Sequence, residues 1–408
     1  SSQLGWNSKG SAAVHCDSLP LSMGRRCPAS VVAAFCLAAF ATRVNGAHCS
    51  LKTGHANYSM GETHMSGYMA YSESSCTSAQ KCPAVVIIHD WTGMDDYEME
   101  RARMLGNWGY VALAADIYGT GTPLESMADW GAAASAHRGN STLYHEKIQA
   151  ALDHVKTYDF VDSTKVAVVG YCFGGTGIVN LALLGADVAG VVGYHSGISP
   201  DSRVLYDPTT SPPVRAKVLL HSGVMDDDAT EMEMLAQELE SANATYEIIR
   251  YGKDVYHSFT EWNANSPGSS MYDQRADVRS WESTKHFLNE VLMTPSAPVR
   301  GPESASLTAM LKNYTAADGT LSEGYVAYDA SMCNASSPCP VVVVVQDWTG
   351  MDSYEKERAR MVASLGYVAI AADIYGFYTP KADMNDWRTA ATAHRANLTM
   401  YMERIQAA

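Results

Sequence analysis

A cysteine with glycines two residues to either side, in Gly170-Tyr171-Cys172-Phe173-Gly174-Gly175, is the strongest chemical signal in the chain. It follows the apolar, β-branched run Val166-Ala167-Val168-Val169 and precedes a helix-compatible stretch, so the spacing predicts a sharp strand-to-helix turn with a strained residue at its tip. A thiol presented above a sheet in this way serves as a nucleophile, given a base to ionise it, an acid to orient the base and donors for the oxyanion. Both partners follow in the order nucleophile, acid, base. The strand-like run Val218–His221 leads through Gly223 into Asp226-Asp227-Asp228. Asp226 is the preferred acid, Asp227 the second choice and Asp228 a helix N-cap. The run Tyr246–Tyr251 leads into a loop that carries His257. Taken singly these are a solvated turn, an incidental loop histidine and an inert buried thiol; their order makes them a set.

The elements that must position these groups alternate. Short apolar runs at 84–89, 110–115, 165–170, 188–194, 217–221 and 246–251 read as strands. Helical spacing covers 97–108, 126–158 in two pieces around Gly139-Asn140, 230–241 and 275–292. Such alternation predicts an α/β domain with a mostly parallel, doubly covered sheet, with Cys172 at the carboxyl end of a buried strand, where ligands bind.

The elbow, the glycine-to-aspartate turn ending at Asp226 and the segment Val255-Tyr256-His257-Ser258-Phe259 together resemble the dienelactone hydrolase family of α/β-hydrolases over about residues 67–292. The resemblance implies an α/β-hydrolase fold and a carboxylic ester hydrolase with Cys172, Asp226 and His257 as triad and an acyl-thioester intermediate. It also implies that Asp90 stands near the thiol and modulates its ionisation, where bacterial members have glutamate. By the same analogy the backbone N–H groups of Phe173 and Trp91 form the oxyanion hole. Two departures bear on substrate: Thr120 and Glu261 stand where bacterial members place arginines that hold a carboxylate. A charged glutamate there would repel an anionic substrate, so a neutral ester or lactone is the expected partner. A noncatalytic secreted binding protein on the same scaffold is the alternative.

The segment Gly67–Ala151 recurs as Gly324–Ala408 at a constant spacing of 257 residues, with roughly 60% of positions identical, as tandem copies require. The second copy carries no counterpart of Cys172, Asp226 or His257, and the expectation is a truncated second domain whose open half-sheet exposes strand edges and packs poorly. The resulting plan is an unpatterned leader (1–22), a signal peptide (23–47), a hydrolase-like domain (48–292), a linker (293–310) and the partial copy (311–408). In the signal segment, Met23-Gly24-Arg25-Arg26 precedes the apolar core Val31–Ala41, too short for a comfortable membrane span.

Six acceptor sequons, at Asn57, Asn140, Asn243, Asn313, Asn334 and Asn397, point in the same direction, toward export. So do Cys76 with Cys82 and Cys333 with Cys339, each pair flanking a polar loop suited to a disulfide in an oxidising compartment. Secretion, or passage through the secretory lumen, is expected. The net charge of −15 disfavours nucleic acid and anionic membranes as partners. No metal-ligand spacing and no phosphate or dinucleotide cradle occurs, so no cofactor is expected. Asp95 and Asp352 read as helix N-caps, and His89 as structural, because the second copy has Gln346 in its place.

Overall fold

The computed structural model describes residues 51–293 and 307–408. The leader at 1–22, the signal segment at 23–47 and most of the 293–310 linker lie outside the described residues. From the amino end, the first set of elements is β1 (Leu51–Met60), β2 (Thr63–Ser72), β3 (Cys82–Ile88), α1 (Asp96–Asn107), β4 (Val111–Ala115), α2 (Met127–Arg138), α3 (Ser141–Lys156), β5 (Val161–Tyr171) and α4 (Phe173–Leu183). There follow β6 (Gly190–Tyr194), β7 (Lys217–Gly223), α5 (Ala229–Ser241), β8 (Tyr246–Tyr251), the short ribbon β9 (Asn265–Ser266) and β10 (Ser270–Met271), and α6 (Gln274–Leu292).

Eight strands form one sheet in the order β1-β2-β4-β3-β5-β6-β7-β8. From β4 to β8 all neighbours are parallel, while β1 and β2 form an antiparallel hairpin on the edge. The strand-by-strand alternation of 84–251 anticipates the parallel part. The hairpin is absent from that reading, because residues 51–60 are polar and mostly exposed and carry little apolar signal.

Burial on both faces explains why the central strands are continuously apolar. Every residue of β3 is buried, and its side chains alternate between two cores. Ala84, Val86 and Ile88 face one core with Ile148, Leu152 and Ile178 of α3 and α4, whereas Val85 and Ile87 face the other with Leu105 of α1 and Trp281 and Leu288 of α6. Each large side chain so buried is worth roughly 1.5–3 kcal/mol. Helix starts follow local chemistry. Asp95 closes a capping box with Glu98 at the head of α1, and Asp228 accepts from the Thr230 amide at the head of α5. A disulfide joins Cys76, in the loop after β2, to Cys82, the first residue of β3.

The second set is β11 (Leu307–Thr315), β12 (Leu321–Asp329), β13 (Val341–Val345), α7 (Ser353–Ser364), β14 (Val368–Ala372), α8 (Met384–Ala396) and α9 (Leu398–Ala407). Its four strands run β11-β12-β14-β13, the order of β1-β2-β4-β3 in the first sheet. Because β11 starts at Leu307, the structured region begins inside the segment read as linker to 310: alternation along the hairpin outweighs the small polar composition of its first residues. Cys333 and Cys339 are also bridged, and Asp352 repeats the capping box, with Glu355. The open edge is β13, where Val341, Val343 and Val345 are 66%, 37% and 38% exposed. Their counterparts Ala84, Val86 and Ile88 are all 0% exposed, because β5 pairs with β3 and α3 and α4 cover it.

Candidate active site

The turn after β5 has the geometry that its glycines permit. Cys172 sits at φ 49° and ψ −107°, in the left-handed half of backbone space. Its own amide bonds to the Tyr194 carbonyl at 3.0 Å, and the Gly174 amide bonds to the His89 carbonyl at 3.0 Å. A β-carbon on Gly170 would collide with the backbone of Gly174, and one on Gly174 with the Ile88 carbonyl, so strand, turn and helix approach too closely for any larger residue. Cys172 is buried and is the free cysteine among the described residues.

Asp226 and His257 arrive from two further strand ends. After β7, the Asp226 amide bonds to the Gly223 carbonyl at 3.1 Å, and the Met225 amide ties the turn to the Val255 carbonyl at 3.0 Å. Gly223 is required there, since a β-carbon would strike the Val255 carbonyl. Beyond β8, Val255 and Phe259 are fully buried and anchor the loop that presents His257. The His257 Nδ1 lies 2.7 Å from Asp226 Oδ1. Burial alone would depress the His257 pKa, but the charge of Cys172, hydrogen bonds with Asp226 and Cys172, and the Asp226 carboxylate hold it well above the ordinary histidine value. An imidazolium is thus favoured beside the sulfur. Asp227 makes no bond to His257; burial and then the neighbouring Asp226 charge push its carboxyl up to about 7.

The remaining sequence candidates fall around this centre. Asp90 follows β3, and its Oδ1 accepts from the Thr92 amide at 2.6 Å and the Thr92 hydroxyl at 2.5 Å. Among the described residues no hydrogen bond joins it to Cys172. Asp347 makes the same two bonds to Thr349, at 2.7 and 2.6 Å, so the local Asp-Trp-Thr turn accounts for this geometry. Phe173 opens α4, where the first amides lack an intrahelical acceptor. The Trp91 and Phe173 amides have no protein acceptor among the described residues. Thr120 lies apart, exposed on a turn with its amide on the His64 carbonyl at 2.7 Å.

Glu261 departs from the sequence argument. It lines a cleft of about 700 Å³ with Asp90, Trp91, Tyr97, Ser258 and Trp262. Burial, then the nearby Glu98 and Asp90 charges, push its carboxyl well above the usual range. A carboxyl shifted in this direction takes up its charge less readily, which weakens the expected repulsion of an anion by Glu261; no cation stands among the lining residues in its place.

His89 has a structural role. Its Nε2 accepts the Ile117 amide at 3.1 Å, and Gln346 Oε1 accepts the Ile374 amide at 3.2 Å in the second copy. Sequence reading passed over Arg101, which is buried and bonds to Asp277 at 2.6 Å, the Thr260 carbonyl at 3.2 Å and the Tyr97 hydroxyl at 3.1 Å. Thr260 Oγ1 also meets Tyr97 and His195, at 2.9 and 2.8 Å. This network fixes the His257 loop against α1 and α6. The available signal was the position of Arg101 one turn after Tyr97, on the apolar side of α1.

Comparison with known proteins agrees with this geometry. A probable 2-oxo-3-(5-oxofuran-2-ylidene)propanoate lactonase of Bradyrhizobium is 25% identical over 221 residues, 51% of this chain and 84% of that protein. An uncharacterised protein of Caenorhabditis elegans is 28% identical over 152 residues, 35% of this chain and 91% of that one. Among solved structures, a dienelactone hydrolase-like promiscuous phosphotriesterase from metagenomic libraries superposes with a TM-score of 0.54 at 28% identity, covering 59% of this chain and 98% of that one. The model of the dienelactone hydrolase family matches residues 65–292 and again 323–408, well over half of the sequence. With its parallel sheet, elbow and paired acid and base, this chain belongs to the dienelactone hydrolase family of ester and lactone hydrolases.

Proposed function

We propose that residues 48–292 hydrolyse carboxylic esters or lactones through a Cys172-Asp226-His257 triad and an acyl-thioester. The observation that carries this reading is the 2.7 Å bond from His257 to Asp226, with the same imidazole beside a thiol at the tip of a strained strand-to-helix turn. The Cys172 thiolate attacks the carbonyl carbon, and the carbonyl π electrons move onto oxygen, which the Phe173 and Trp91 amides receive. The oxyanion collapses, the C–O bond breaks, and His257 donates its proton to the departing alkoxide. Water then attacks the thioester while neutral His257 takes its proton; the thiolate leaves, the acid is released and the imidazolium is restored. Asp226 keeps Nδ1 protonated and offsets the ring's charge throughout.

Replacing Cys172 by Ala tests the reading directly. Hydrolysis of a chromogenic ester should fall by at least about 10³-fold with unchanged circular dichroism; undiminished turnover would falsify the assignment.

Export is proposed on separate grounds. All six sequon asparagines are exposed, and the Cys76–Cys82 and Cys333–Cys339 pairs suit an oxidising compartment. Mobility shift on endoglycosidase treatment of protein from a secreting eukaryotic host checks this, and an unshifted band opposes it.

A further inference from the structure

Phe173, directly after Cys172, is fully buried in an aromatic slot. Its ring stacks on Tyr144 with centroids 4.4 Å apart and meets the His137 ring edge-on at 6.1 Å. The Tyr118 ring lies 5.3 Å away, and the Arg138 guanidinium sits 5.6 Å from the Phe173 centroid. Two bonds to the backbone complete the fit. The Tyr144 hydroxyl donates to the Phe173 carbonyl at 2.6 Å, and the Gly174 amide donates to the His89 carbonyl at 3.0 Å.

The matching positions 257 residues later build the same walls around a cavity of about 420 Å³. Tyr375, His394, Arg395 and Tyr401 stand for Tyr118, His137, Arg138 and Tyr144, with Gln346 in place of His89. Their geometry is kept. The Tyr375 and His394 rings lie 4.9 Å apart at 48°, against 5.2 Å and 46° for Tyr118 and His137. His394 and Tyr401 lie 6.2 Å apart at 77°, against 5.9 Å and 77° for His137 and Tyr144. Local bonds hold these walls in place: the Tyr375 hydroxyl donates to the Trp348 carbonyl at 3.1 Å, and Arg404 donates to the Tyr375 carbonyl at 2.8 Å. The two groups that would read a backbone are unpaired. Among the described residues the Tyr401 hydroxyl has no acceptor, and no backbone amide reaches the Gln346 carbonyl. The strand leading to Gln346 is open as well: β13 pairs on one side only, whereas β3 pairs with β5 as far as Ile88 and Gly170.

We propose that this cavity and the adjoining β13 edge dock a Phe-Gly segment of another polypeptide. The phenyl ring stacks on Tyr401, its carbonyl accepts from the Tyr401 hydroxyl, the next amide donates to the Gln346 carbonyl, and the preceding residues pair along β13. Glycine must follow the ring, because a β-carbon on Gly174 would strike the Ile88 and His89 carbonyls, and Val345 and Gln346 occupy the matching positions. A free aromatic hydrocarbon would fill the cavity but satisfy neither the hydroxyl nor the carbonyl. Phe173-Gly174 is the one Phe-Gly pair in this chain and is sealed in its own slot, so the occupant comes from a different polypeptide.

Fluorescence polarisation on the full chain tests this with a labelled peptide of residues 166–177 carrying Cys172→Ser. Saturable binding is expected, and Phe173→Ala or Gly174→Ala in the peptide should weaken it at least about tenfold. In the protein, Tyr401→Phe should weaken it roughly fivefold, and Ala391→Leu, which places a larger side chain in the cavity wall, should abolish it. Absence of binding by the wild-type chain, or an affinity that the two peptide substitutions leave unchanged, overturns the proposal. If benzyl alcohol competes as strongly as unlabelled peptide, the cavity takes free aromatics and the Phe-Gly assignment falls. A dimer in sedimentation velocity that the peptide dissociates would make a second copy of this chain the occupant, which also overturns it.

Discussion

At the residue scale the proposed triad depends on one choice between adjacent aspartates. Asp226 meets His257 at 2.7 Å, whereas Asp227 stands half-buried beside Asp226 with its carboxyl pushed up to about 7. Only an ionised carboxylate on Nδ1 both fixes the tautomer and stabilises the imidazolium. Asp226→Asn should therefore lower kcat by about 10³–10⁴-fold, and Asp227→Asn by less than about tenfold. Steady-state kinetics on one ester measures both, and the reverse ranking would assign Asp227 as the acid. Spacing after Gly223 favours Asp226 over Asp227 and leaves Asp228 as a helix N-cap, but the contact itself depends on where a loop some thirty residues later returns. His89 was more legible: Gln346 at the matching position already pointed to a structural role, and the fold adds what that role is, since both side chains accept an isoleucine amide.

At the element scale, the loop bearing His257 is held by α1 and α6 through Arg101. The Arg101–Asp277 pair is almost wholly buried. Removing one partner leaves the other charge uncompensated, so Arg101→Met should cost about 3–5 kcal/mol in a urea-unfolding experiment. Asp277→Asn, which keeps the shape and leaves the guanidinium short of a charge, should also lower kcat as the loop loosens. A stability change below about 1 kcal/mol for Arg101→Met would refute a structural role for the pair. At the matching position in 324–408, Arg358 is exposed and lies over Tyr354, and among the described residues no helix packs against α7 as α6 does against α1. The same residue type in the same local sequence is thus buried or solvated according to what packs against it. The β13 edge shows the same dependence. Its valines are exposed where those of β3 are sealed, so amide exchange should be faster by about 10²-fold or more in Val341–Val345 than in Ala84–Ile88. Equal protection in a deuterium-exchange time course would contradict this.

At the scale of the whole molecule, acid stability follows from neutral buried histidines. His221 is fully enclosed, with Nε2 3.2 Å from Thr284 and Nδ1 3.2 Å from the Tyr251 hydroxyl. Burial lowers its pKa to about 3, against about 6.5 in an unfolded chain. Because the folded value is depressed, the unfolded state binds more protons between these limits; the stabilisation is complete above pH 6.5 and is lost as pH falls toward 3. His221 alone should remove roughly 2–3 kcal/mol by pH 4.5. Urea midpoints measured from pH 7.5 to 4.5 should decline accordingly, and His221→Gln should flatten the slope.

The sequence alone determined the order of Cys172, Asp226 and His257, the alternating elements, the helix caps, the two short cysteine loops and the internal similarity of 67–151 to 324–408. All of these are local or periodic properties, determined by side-chain type and spacing along the chain. The fold alone decided that Asp226 faces His257, that Asp90 bonds within its own turn, that Arg101 supports the loop bearing His257 and that burial raises the pKa of Glu261. Those outcomes depend on desolvation and on distances between segments up to 176 residues apart, as for Arg101 and Asp277. Charge and burial at a site are set by everything that closes around it, which spacing along a chain does not encode.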